Sequence, residues 1–280
     1  MPRRAQSHPA LAPWVIFAHF ARKLYLHRGL IRNFVVRDLR ARYIGSFMGL
    51  FWSVIHPLVL LASYTFVFSV IFGQQPPADS GTHSFALFLF CSILPWLFFQ
   101  DTLQRSSTVI VDNANLVTKT LFPTEILPLT VLVAGLINHL VGFAILLAVV
   151  VLTIGQVSAA LLLLPAYLLC LALFTLGMAW FVSSLNVFVR DVSQVLGVIL
   201  IFWFWVTPIF FTAERLPEKL RFMVRWNPLA HVVAGYRDCL LRHRLPNLEA
   251  LALLFLASAV VFVAGGIFFR LTKREFVDVL

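Results

Sequence analysis

Residues 126–189 read ILPLTVLVAGLINHLVGFAILLAVVVLTIGQVSAALLLLPAYLLCLALFTLGMAWFVSSLNVFV, 64 consecutive positions without an Asp, Glu, Lys or Arg. Soluble proteins carry about 25% charged residues, and no water-exposed domain keeps so long a charge-free run. A helix needs about 20 apolar residues to cross the hydrocarbon core, so the run has room for two crossings and a tight turn. Thr153-Ile154-Gly155-Gln156-Val157-Ser158 supplies the turn, small and polar, with a glycine to end the helix. The stretch predicts an all-α polytopic membrane protein.

The rest of the chain agrees. Hydrophobic residues make up 60% of its 280 positions and charged residues 12%, with a mean hydropathy of +0.91. That length predicts one bundle of six helices, a single domain over 1–280. The net charge of +10 raises nucleic acid as a partner, but the basic residues gather at the ends of apolar stretches. They point to the anionic inner leaflet and membrane lipids instead, and nucleic acid is set aside. Cys91, Cys170 and Cys239 have no CxxC spacing, so neither a disulfide framework nor a metal site is indicated. The apolar run Ala10 to Ala21 meets Arg22-Lys23 rather than a small-residue cleavage site, so no cleaved leader is expected.

Charge-free windows place six spans: Tyr43 to Phe72, one beginning near Phe85 and carrying Asp101 and Arg105 toward its far end, Ile126 to Leu152, Ala159 to Leu185, one between Asp191 and Glu214, and one between Glu249 and Arg270. Pro57, Pro95 and Pro165 read as kinks, because neighbouring helices can satisfy the freed backbone groups. Lys and Arg number 9 over 1–46, none at 73–84, 2 over 101–125, none at 153–158 and 3 over 270–280. This asymmetry puts both termini in the cytoplasm, which requires an even number of spans, and six fits.

Segment 212–247 breaks the pattern, carrying 7 basic residues on what would be the outer side. Leu216 to Trp226 predicts a short helix, and Asn227-Pro228 an N-cap with proline in the first helical position. Two short re-entrant helices suit a segment too hydrophobic for a loop and too charged for a crossing, with a surface hairpin as the alternative. At the other end, Trp14 to Tyr25 places Phe17, Phe20, Ala21 and Leu24 on one face, as in a helix lying in the cytoplasmic interface. The expected division is an arm over 1–42, five spans within 43–211, the re-entrant pair, a sixth span at 248–270 and a tail at 271–280.

Catalytic patterns are missing: there is no GxxxxGK[ST], HExxH, GxSxG or DxD. His139 on the third span reads as a helix-to-helix hydrogen-bonder, and Gly45 with Gly49 as a close-packing pair. Aromatic residues are abundant, 28 of them Phe, and Phe202-Trp203-Phe204-Trp205 clusters in the fifth span. Rings can offer flat faces to sugars, yet consecutive residues point all round a helix, so at most two of those four share a pore.

Several stretches, in order, carry a resemblance. They are Leu39-Arg40-Ala41-Arg42-Tyr43 with Gly45-Ser46-Phe47-Met48-Gly49 and Trp52; Asn115-Leu116-Val117 through Lys119 and Phe122-Pro123 to Leu127-Pro128; Arg190-Asp191; Thr207-Pro208-Ile209; Trp226-Asn227-Pro228-Leu229 with Arg237; and the C-terminal Phe276-Val277-Asp278-Val279-Leu280. Together the chain resembles the membrane (permease) subunits of type-2 ATP-binding-cassette exporters of lipid-linked bacterial polysaccharide, the O-antigen and teichoic acid group. The resemblance implies a homodimer in the bacterial inner membrane with two separate ATPase subunits. ATP and magnesium would sit on those partners, and this chain would hold no cofactor. It also implies that the first and fifth spans border the path, with Trp52, Tyr64, Trp203 and Trp205 as candidates for its lining, and that Asn115, Leu116 and Lys119 belong to the ATPase-coupling loop. Pro208, Asn227, Pro228 and Arg237 would belong to the outer re-entrant gate. Arg37, Arg40 and Arg42, just before the first span, suit a lipid pyrophosphate or, equally, anchoring to anionic lipid. Exporters of capsule, small lipids or drugs share the fold, and a transferase acting on a lipid carrier is the rival of another class.

Overall fold

The computed structural model describes residues 26–43, 51–119, 122–155, 158–213 and 216–280, with the backbone alone at 41–43 and 53. Regular structure among the described residues is helical. In chain order the helices are α1 (Arg28–Tyr43), α2 (Trp52–Thr65), α3 (Phe85–Asp112), α4 (Ala114–Lys119), α5 (Ile126–Ile154), α6 (Leu164–Phe188), α7 (Val192–Val206), α8 (Arg221–Arg225), α9 (Pro228–Leu240), α10 (Leu248–Thr272) and α11 (Phe276–Val279). The interfacial helix expected at Trp14 to Tyr25 and the Gly45/Gly49 pair lie outside the described residues.

Among the described residues, five helical stretches are long and apolar enough to cross a membrane: Val54–Ile71, Phe85–Asp112, Ile126–Ile154, Ala159–Phe188 and Leu248–Thr272. At 1.5 Å per residue the 29 residues of α5 span about 43 Å, more than the roughly 30 Å hydrocarbon core, so they tilt or protrude. The 15 residues of α7 reach only about 22 Å. Its end has a local cause. Thr207 precedes Pro208, and a residue before proline is driven from the helical to the extended region; Thr207 sits at φ −76°, ψ 131°. The apolar window expected to run as one crossing therefore divides into α7 and a buried, non-helical turn beginning at Thr207.

Charge shapes two further elements. Residues 28–43, legible only as a basic run, form a continuous helix. The helix beginning at Phe85 continues past Asp101 and Arg105 to Asp112, and Arg105 forms an ion pair with Asp38 of α1. Proline acts as expected in part: Pro57 and Pro95 lie inside α2 and α3. Pro165 instead occupies the first turn of α6, where a missing N–H costs nothing. Gly155 ends α5 in the left-handed conformation, φ 72°, which favours glycine.

α3 is the central element, with Phe88, Leu89, Cys91, Ser92, Phe99 and Leu103 wholly enclosed. α6 and α10 approach most closely. A Cβ on Gly177 would strike the Val261 carbonyl, and one on Gly265 the Gly177 carbonyl. In lipid, where tails are as apolar as leucine, such backbone contact is a main source of helix association. α2 and α7 sit at the edge, with Val59, Phe66, Val198, Ile201 and Phe202 exposed. Past Thr65, α2 winds into a wider π-helical turn, Phe66–Ile71, of a kind frequent at functional sites.

Candidate functional site

A groove of about 500 Å³ lies between α2, α3 and α7. Helical spacing builds each wall. His56, Leu60 and Tyr64 recur every four residues on α2, and Trp96, Gln100 and Gln104 do the same on α3. Phe204 and Trp205 complete it from α7. The rings interlock: Tyr64 lies 6.1 Å from Phe204 and edge-on to Phe210 at 5.1 Å, while Trp205 stacks on Phe210 at 5.4 Å. Amides alternate with the rings. Trp96 Nε1 donates to Gln100 Oε1 at 2.7 Å, and Gln104 Nε2 donates to the Ser193 carbonyl at 3.1 Å, tying α3 to α7. Asp101 adds a carboxylate to the lining. A wall of aromatic faces, amides, one imidazole and one carboxylate suits a polyhydroxylated ligand, which stacks on rings and exchanges hydrogen bonds with side chains.

Of the four residues expected to line a path, Tyr64 and Trp205 are in this wall. Trp52 begins α2 one turn before His56 and is 49% exposed. Trp203 turns the other way, meeting Phe99 edge-on at 5.2 Å and donating Nε1 to Asn227 Oδ1 at 3.0 Å.

That bond opens the second constellation. Asn227 caps α9 by accepting from the Leu229 N–H at 3.1 Å, with Pro228 in the first turn as the sequence predicts. Its Nδ2 donates to Thr207 Oγ1 at 3.0 Å, and Thr207 Oγ1 donates to the Trp203 carbonyl at 2.8 Å. The broken end of α7 is thereby fastened to the cap of α9. Arg237, 4% exposed, fastens the same turn from below. Its Nε donates to Ser92 Oγ at 2.8 Å, Nη1 to the Phe211 carbonyl at 3.2 Å and Nη2 to the Ile209 carbonyl at 2.7 Å. The guanidinium lies over the Phe88 ring, 3.8 Å from its centroid. One arginine thus holds α3, the turn after α7 and α9 together. His139 of α5 joins α9 through Tyr236, Nε2 to hydroxyl 2.9 Å, the helix-to-helix bond the sequence suggests.

At the opposite end, Arg37 Nη2 donates to Asn113 Oδ1 at 2.9 Å, with its guanidinium 4.3 Å from the Phe34 ring centroid. Arg40 is exposed, and the Arg42 side chain lies outside the described set. The expected coupling loop is the short helix α4, with Asn115 and Lys119 exposed and Leu116 half-buried. α11 packs beside it, anchored by the enclosed Phe276 between Phe188 at 6.0 Å and Phe269 at 5.6 Å.

The sequence reading missed Trp96, Gln100 and Gln104 of the groove, and Ser92 beneath Arg237. A signal existed for three of them: Trp96, Gln100 and Gln104 repeat every four residues, a polar stripe on a membrane helix. Ser92 had none, because its partner is 145 residues away.

Comparison with known proteins identifies the family. The sequence pattern of the family described as ABC-2 type transporter matches residues 30–241. The O-antigen export system permease protein RfbA of Myxococcus xanthus is 30% identical over 260 residues, 92% of this chain and 97% of that protein. The protein of the same name from Klebsiella pneumoniae is 28% identical over 247 residues, 87% of this chain and 92% of its own length. The polysialic acid transport protein KpsM of Escherichia coli is 24% identical over 248 residues, 86% of this chain and 92% of that protein. The family pattern covers the pre-span helix, the groove and the arginine-fastened turn, and the chain belongs to the ABC-2 type transporter family.

Proposed function

We propose that this chain is the transmembrane subunit of an ATP-driven exporter that moves undecaprenyl-pyrophosphate-linked, O-antigen-like polysaccharide across the bacterial inner membrane. As an ABC-2 permease it is a transport subunit rather than an enzyme, and ATP is hydrolysed on a separate subunit. In this reading two copies pair with two ATPase subunits. Six crossings, the fifth made by α7 with the turn after it, leave both termini in the cytoplasm and segment 212–247 on the outer side.

One observation carries the reading: the ring-and-amide groove on a chain whose relatives are named O-antigen export permeases. A polymer threading a pore must be held well enough to enter and weakly enough to advance. Aromatic faces and neutral amides meet that need better than a row of full charges. The exposed apolar faces of α2 and α7 border the groove, so a second copy can close it. Arg37, Arg40 and Arg42 would receive the lipid pyrophosphate at the inner surface, and Asn115, Leu116 and Lys119 on α4 would meet the ATPase. The likeness to the polysialic acid transport protein supports a capsular polymer as the second reading.

Co-expression with the cognate ATPase tests the assembly. The purified complex should have the mass of two plus two subunits, and the isolated permease should hydrolyse no ATP. Hydrolysis by the permease alone, or a complex containing one permease, would refute the proposal.

A further inference from the structure

A cleft of about 380 Å³ opens between the turn after α7 and the pair α8–α9, within the size range of small-ligand sites. Among the described residues, four arginines reach its wall, Arg221, Arg225, Arg237 and Arg242, beside His231, and no carboxylate does. Two of them are engaged in building the fold. Arg237 makes the bonds described above. Arg242 donates Nη1 to Asp238 Oδ1 at 3.0 Å and Nη2 to Asp79 Oδ2 at 2.9 Å. Arg244 Nε also donates to Asp238, at 2.8 Å.

The other two sit on α8 with much of their surface in solvent, and Arg221 is also engaged, donating Nε to the Leu216 carbonyl at 3.2 Å. Arg221 is 4.0 Å from Glu218, at side-chain exposures of 51% and 90%, and contact of that kind contributes little. Arg225 is exposed, while its carbonyl accepts from His231 Nε2 at 2.8 Å, which sets α8 over α9. Among the described residues around the cleft, five arginines face three carboxylates: Asp79, Asp238 and Glu218.

Such an excess is unexpected where the proposed orientation puts it, and the inference rests on that orientation. Lys and Arg in short loops favour the cytoplasmic side, so a basic cluster on the outer side works against insertion. A guanidinium fork matches phosphate oxygens in geometry and in charge. We propose that this cleft binds a phosphate group on the outer side of the membrane, supplied either by an anionic phospholipid headgroup or by the head of the lipid-linked substrate. Bound there, the anion bridges α8 to the turn that Arg237 fastens, and so joins the two walls of the outer region.

The test uses the full chain in phosphatidylcholine nanodiscs and radiolabelled inorganic pyrophosphate. Wild type should bind one saturable equivalent per chain that the double variant Arg221→Gln, Arg225→Gln loses or holds at least tenfold more weakly. Ala234→Glu, which adds a carboxylate to the opposite wall at an exposed position, should do the same. The inner arginines are unchanged in every variant, so any pyrophosphate they bind cancels in the comparison. Repeating the titration with phosphatidylglycerol in the disc separates the sources: competition by the lipid identifies a headgroup, and unchanged binding identifies the substrate's phosphate. Equal stoichiometry and affinity in wild type and both variants would overturn the site. Both faces of a nanodisc are open, so that failure would leave the orientation standing, to be judged by cysteine labelling in cells.

Discussion

Arg237 should be the most sensitive single position of the outer region. Changing it to methionine keeps a long stem and removes the fork, leaving Ser92 Oγ and the Ile209 and Phe211 carbonyls without the donors they have now. Ser92 and Ile209 are 0% exposed, so water cannot replace the loss. A buried acceptor left unsatisfied costs about 1–3 kcal/mol, and the guanidinium over Phe88 adds about 1–2 kcal/mol. Against this stands the relief of desolvating a buried cation, worth several kcal/mol. The balance falls near 3 kcal/mol, at the low end of what breaking a buried charged network costs. At about 2–4 °C per kcal/mol, the melting temperature should drop by roughly 6–12 °C. Cys91, Cys170 and Cys239 are free and buried, so a thiol-reactive fluorophore reports unfolding directly in detergent. Arg237→Lys, with one compact charge for three separated acceptors, should fall between. A methionine variant melting at or above wild type would show that desolvation outweighs the bonds, and the clamp would lose its energetic basis.

Three other outcomes are expected. Gly265→Ala should lower stability by about 2–3 kcal/mol, because its methyl meets the Gly177 carbonyl and overpacking against backbone has little room to relax. Gly266→Ala, whose methyl would sit 3.4 Å from the Trp180 ring, should melt like wild type, and equal effects at the two positions would refute the close-contact reading. Ala78→Cys should react with an impermeant thiol reagent in intact cells, whereas Asn115→Cys and Arg274→Cys should not; labelling of Arg274→Cys from outside would overturn the six-span orientation. Arg40→Lys with Arg42→Lys should keep expression and topology but weaken export, through roughly tenfold poorer pyrophosphate binding if one charge-assisted contact is lost. Wild-type export in that double variant would leave these residues an anchoring role only.

Much of the fold was legible because the membrane simplifies the code. The charge-free run at 126–189 became α5 and α6 with Gly155 between them, and Asn227-Pro228 capped α9 as its chemistry required. What stayed hidden was rotation about each helix axis. With nearly every neighbour apolar, periodicity gives no facing, so Trp203 and Trp205 looked equivalent although one bonds to Asn227 and the other borders the groove. The α7 break was readable in Thr207-Pro208 but was masked by the hydrophobicity of Ile209-Phe210-Phe211. The helix at 28–43 was obscured by its charges, which read only as a basic run in a cytoplasmic and interfacial arm. Long-range pairs carry no local signal at all: Arg242 meets Asp79 across 163 positions, and Arg237 meets Ser92 across 145.

The decisive measurement is the lipid-linked glycan content of a strain from which this gene has been deleted, read by mass spectrometry of extracted lipids beside an assay of cell-surface polysaccharide. A permease for lipid-linked polysaccharide predicts that the surface polymer disappears and lipid-pyrophosphate-linked glycan accumulates inside. Wild type should reverse both changes, and a Tyr64→Ala, Trp205→Ala variant that folds normally should not. Unchanged surface polymer with no accumulated lipid-linked glycan would contradict polysaccharide export and turn attention to a smaller cargo on the same fold.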